Sequence, residues 1–218
     1  MQHFSSVTQK IISLFVIAFA FFFPHYGGFP FFSYAVIVLM VIWLFLKYIT
    51  GENCKDILFS FKKFQFRAIW LGAIAAILLF IALEYGIMPL MKRFFPGQEI
   101  NLHDFDFIKG HLINYILVLI AALVIGGFYE ELTFHGFIFT SFEKLFSRHK
   151  TLIAFVLSAF VFAAYHFQQG ILGMINAGIA GCAYHAFIIK NDRNLWYGIF
   201  IHAFYDFIGL SFIYAGHS

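Results

Sequence analysis

The sequence predicts an all-α fold, a polytopic bundle of about seven transmembrane helices, with six to eight allowed by soft boundaries. Two observations carry that reading. The chain of 218 residues is 62% hydrophobic and 11% charged, whereas soluble domains carry about 25% charged residues. Its apolar runs are also continuous rather than alternating, and in lipid a continuous run closes its backbone hydrogen bonds as a helix. The 218 residues read as one integral membrane domain.

A span needs roughly 20 mainly apolar residues. Segments 7–23, 30–49, 68–88, 112–138, 151–167, 171–190 and 195–214 qualify or nearly so. The first apolar run, Ile11 to Phe23, follows Lys10 and could imitate a signal peptide, but it runs into Pro24-His25-Tyr26-Gly27-Gly28 without a small-x-small cleavage pattern, so a retained span is expected. Between the second and third spans, the stretch from Asp56 to Arg67 mixes Phe and Leu with Lys. It reads either as an amphipathic interfacial segment or as a simple basic loop. In the sixth span Gly173, Ala177, Gly178 and Gly181 allow close helix approach.

Seven spans place eleven of the fourteen Lys and Arg residues on one side, in the segments around Lys10, Lys47–Arg67, Lys144–Lys150 and Lys190–Arg193. Lys92, Arg93 and Lys109 fall on the other. The positive-inside rule then expects a cytoplasmic N-terminus and an outside C-terminus in a cell membrane. The lipid bilayer is the expected surrounding, and nothing points to nucleic acid.

Cys54 and Cys182 are too few and too far apart for a disulfide framework or a thiolate zinc site. A phosphate-cradling glycine loop, HExxH and GxSxG are all absent, which removes the usual signatures of nucleotide binding, zincins and serine hydrolases. The chemistry lies instead in ionisable residues inside apolar spans, which cost about 2.5–3.5 kcal/mol each and are usually functional. Glu130 and Glu131 are adjacent, and neighbours on a helix point about 100° apart, so one can face a cavity while the other meets a structural partner. His135 follows Glu131 by one turn. The fifth span ends in Phe162-Ala163-Ala164-Tyr165-His166, and the seventh holds His202 and Asp206 one turn apart. His185 reads as an interhelical hydrogen-bonding residue, and Glu84 as an interfacial one near Pro89. Straight helices would put His166 about 22 Å along its span and His202 about 10 Å along its own, at different depths.

Three short patterns occur in order: Glu130-Glu131-x-x-x-His135, Phe162-x-x-x-His166 and His202-x-x-x-Asp206. They resemble the EExxxR, FxxxH and HxxxN/D motifs of the CAAX protease and bacteriocin-processing family of intramembrane glutamic proteases, the family of CAAX prenyl protease 2. Phe134-His135-Gly136 stands where that family has Phe-Arg-Gly. The resemblance covers about residues 112–214, which it marks as a catalytic core.

It implies a metal-independent endopeptidase without cofactor, acting on a peptide or membrane-protein substrate. Glu130 would be the general base of a water held with His166. His202 would stabilise the oxyanion, with Asp206 orienting it. Glu131 and His135 would support the site, His135 replacing an Arg and holding positive charge less reliably. Bacteriocin maturation and immunity are among the family's functions. The alternatives are an intramembrane metalloprotease, since Glu and His ligate zinc, a proton-relaying transporter, and a non-catalytic immunity or regulatory protein.

Overall fold

A computed structural model describes residues 6–26, 28 and 33–216. Among them the chain is all-helical, without strands. The first span is α1 (Val7–Phe22), capped by the Ser6 hydroxyl accepting from Gln9 N and extended by a 3-10 turn to Tyr26. The second is α2 (Ser33–Leu44) with a π-helical turn Phe45–Thr50, closed by Gly51 in the left-handed conformation. Residues 30–32 of the expected second span lie outside the described residues.

The third span combines α3 (Phe66–Ile81), a π-helical turn Ala82–Ile87 and α4 (Met88–Phe94). The turn has a cause, because the Pro89 ring would meet the carbonyl of Tyr85 in a regular helix. The fourth is the longest, with α5 (Leu112–Val124), a π-helical segment Ile125–Ile138 and α6 (Phe139–Leu145). Then come α7 (Lys150–Tyr165), α8 (Gly170–Lys190) and α9 (Leu195–Tyr214), the last capped by Asn194.

Six helical stretches are long and apolar enough to cross a membrane, and α7, with 16 residues, is a shorter apolar helix. Val36, Trp70, Leu78, Ile113 and Phe160 stand exposed on the outside, a surface that water would not tolerate and acyl chains would. The chain is a multi-pass membrane protein.

The centre of the bundle is α9, which packs on α3, α5, α8 and the π-helical segment. Two sets of loops mark its ends. Gln9 meets Ile49, Thr151 and Arg193 both meet Glu143, and Trp196 meets Ser60, so these residues share what we call the basic face. At the opposite face Asn101 bonds to Gln168 and Gln169, and Gly110 to Tyr214.

The segment between α2 and α3 is an irregular loop with two 3-10 turns rather than an interfacial helix. Ile57, Leu58 and Phe59 are buried against the bundle, while Lys62 and Lys63 stay exposed. Gly178 and Gly181 let α8 approach α7, as the sequence suggested: a Cβ at Gly178 would sit 3.0 Å from Ala163 Cβ.

Candidate active site

The π-helical segment carries the first motif. This wider helix, with i→i+5 bonding, is rare and frequently marks functional sites. It changes how its carboxylates are shared. Glu130 lines a cavity of about 760 Å³, together with His166, His202 and Asp206. Glu131 is fully buried behind it. The division between a cavity-facing and an inward-facing Glu was legible in the sequence, but Glu131's partner was not. Glu131 Oε1 lies 3.0 Å from His202 Nδ1 and 3.7 Å from His135 Nε2. The closer partner is therefore the histidine of the third motif.

Glu130 Oε2 lies 3.9 Å from His166 Nε2 and 4.0 Å from His202 Nε2. These gaps are too long for direct hydrogen bonds and suit a bridging water. His166 closes the C-terminal turn of α7, and its Nδ1 donates to Phe162 O at 2.9 Å. That bond leaves Nε2 free to accept, facing Glu130. The carbonyl of Phe162, at the head of the FxxxH motif, thus sets the His166 tautomer. Asp206 Oδ2 stands 3.6 Å from His202 Nε2. Against the expected depth mismatch, the imidazoles of His166 and His202 both come within 4.0 Å of the one carboxyl of Glu130.

His135 faces away from the cavity. Its Nδ1 lies 2.9 Å from Nδ1 of His185, so the two buried imidazoles form a pair behind Glu131. His185 is the interhelical hydrogen-bonding residue that the sequence suggested. Among the described residues, Glu131 Oε2, His135 Nε2 and His185 Nε2 make no hydrogen bond. Glu84 is exposed, yet it lines the same cavity.

Three contributors were not visible in the sequence. Tyr184 is buried and stacks on the His202 ring, centroids 4.6 Å apart and planes 24° apart. Gly198 leaves room for Glu131, since a Cβ there would collide with Glu131 Oε2. Gly126 does the same for Asp206, where a Cβ would strike Oδ2. The available signal was spacing: Gly198 precedes His202, and Gly126 precedes Glu130, by four residues.

No group of three His, Cys, Asp or Glu side chains among the described residues is arranged to hold a metal ion. Carboxylates and imidazoles gathered on one cavity inside a helical membrane bundle define a class: polytopic proteins with an ionisable cluster on an intramembrane cavity. Residues 112–208 match the family described as type II CAAX prenyl endopeptidase, Rce1-like. That segment is similar to the CAAX protease family that the three motifs resemble, and all three motifs lie within it. No curated protein and no solved structure matches the chain.

Proposed function

We propose that the protein is an intramembrane endopeptidase of glutamic, metal-independent type, cleaving a peptide or membrane-protein substrate. The observation that carries this reading is Glu130 between two imidazoles, at 3.9 and 4.0 Å, on the wall of a cavity large enough for a peptide. A water fits between Glu130 and His166 Nε2. Glu130 takes its proton as the oxygen attacks the scissile carbonyl, and passes that proton to the leaving amine. Positioned acid–base groups of this kind contribute about 10²–10⁴-fold to rate.

His202 supplies the oxyanion contact. A proton on Glu131 donated to His202 Nδ1 fixes the Nε2–H tautomer, the form able to donate toward the cavity. Asp206, 3.6 Å from that nitrogen, orients the ring, while Tyr184 holds it from the side.

The test compares the membrane peptidomes of cells carrying the intact protein and Glu130→Ala. Fragments present with the intact protein and lost in both Glu130→Ala and His166→Ala are the expected result. Unchanged peptidomes from folded variants would refute the proposal. Chelator sensitivity with bound zinc found by elemental analysis would move the assignment to a metalloprotease.

The neutral-capable His135–His185 pair, standing where the family has an Arg, favours a second reading: an immunity or regulatory protein that does not cleave. A phenotype that persists in Glu130→Ala would select it.

A further inference from the structure

The cavity around Glu130 extends toward the face opposite the basic one. From Glu130 it runs past Asn176 and Gly209 to Lys92, Glu99 and Asp104. Glu130 is 13% exposed, while Glu99 is 73% exposed, so the first marks the floor and the second the mouth. The mouth belongs to the face formed by the loop before α5 and the turn after α7.

The basic-face end is closed by the loop between α2 and α3. Leu58 O accepts from Leu195 N, Ser60 O from Trp196 Nε1, and Lys63 O from Asn194 Nδ2, at 3.3, 2.9 and 2.8 Å. Ile57 O presses so closely on the π-helical segment that a Cβ at Gly136 would lie 2.9 Å from it. Below this plug, Glu143 joins Arg193 and Thr151, and Lys144 joins Glu52.

The charge asymmetry then assigns a compartment to each end. Eleven of fourteen basic residues flank the plugged face and three the open one, and an excess of Lys and Arg in short loops marks the cytoplasmic side. We infer that the site is loaded from the extracytoplasmic side, and that its substrate is a polypeptide segment presented there by an exported or membrane-anchored protein. At about 760 Å³ the cavity far exceeds the roughly 30 Å³ of one water. Its walls alternate apolar groups such as Phe80, Leu102 and Ile125 with Asn176 and Glu84. That lining suits an extended segment of several residues, mainly apolar, with its backbone amides met at intervals. The substrate part rests on the endopeptidase reading; the side of access does not.

Thiol labelling separates the two. Cys54 is exposed on the basic-face loop and is a native reporter of that side. Gly209 lines the cavity, and a Cβ there meets nothing within 4 Å, so Gly209→Cys is sterically free. Single-cysteine proteins, one keeping Cys54 and one carrying Gly209→Cys in a cysteine-free background, are exposed to a charged, membrane-impermeant thiol reagent. In intact cells Gly209→Cys should react at least tenfold faster than Cys54, and in inverted vesicles the order should reverse. Reaction of Cys54 from outside, or of Gly209→Cys only from inside or from neither side, overturns the inference. In the peptidome comparison, cut sites in extracytoplasmic segments support the substrate class and cytoplasmic cut sites overturn it. A peptidome indifferent to Glu130→Ala sinks the endopeptidase reading and leaves the labelling to decide the side of access.

Discussion

Gly198 shows how little space separates the observed Glu131 position from a displaced one. Its Cα passes so close to Glu131 Oε2 and to Ile188 that even a methyl group has no room. Gly198→Ala should cost about 1–3 kcal/mol by overpacking, visible as a lower unfolding temperature in detergent. Adding Ile188→Val should recover stability by trimming the aliphatic neighbour, but not the Glu131–His202 contact. Activity should therefore stay low while stability partly returns, a split that a purely structural role would not give. Of the site itself, Glu130, His166, His202 and Asp206 were legible in the sequence because charges in apolar spans stand out. The Glu131–His202 bond was not, because it depends on a helix wider than the regular α-helix and on a crossing made possible by Gly198. The His135–His185 pair joins residues 50 positions apart, and no local spacing announces it.

Among the elements, two short pieces at opposite ends of the bundle carry separate expectations. The 3-10 turn His103–Ile108 forms part of the cavity mouth through Asp104 and Phe105. Its Asp106 carboxylate is exposed, and hydrogen bonds from Lys109 and then His103 hold it below the usual carboxylate range. A group with a depressed folded-state value stabilises above its unfolded value and loses that contribution as pH falls through the folded one. Acidification below the ordinary carboxylate range should thus loosen this turn first, read as faster amide exchange over 103–109, and Asp106→Asn should abolish the pH dependence. At the other end, Glu143 is almost fully buried and accepts from both Nη atoms of Arg193 and from Thr151. Glu143→Ala removes the carboxylate that pairs with a partly exposed guanidinium, and a loss of about 2 kcal/mol is expected from hydrogen bonds to charged groups. Thermal unfolding of the purified protein measures it, and Glu143→Gln should lie between the two.

For the molecule as a whole, composition announced the membrane and the apolar runs announced most of the spans, because hydropathy needs no knowledge of partners. Boundaries drifted where helices carry π-helical turns: the third and fourth extend to Phe94 and Leu145, beyond the apolar runs at 68–88 and 112–138. The fifth candidate, 151–167, stayed ambiguous for a physical reason. Sixteen residues at 1.5 Å rise make α7 about 24 Å long, against a hydrocarbon core of about 30 Å. A helix too short for its bilayer pulls the lipid thin around it, at a fraction of a kcal/mol per ångström of mismatch. The bilayer is therefore expected to thin around α7, with His166 at the end of that helix placed beside the thinned region. Acyl-chain length becomes a control on the site. Reconstituted in short-chain phosphatidylcholine the protein should be most stable, and in long-chain lipid α7 should be strained and His166 pulled from Glu130, with cleavage falling before the fold does.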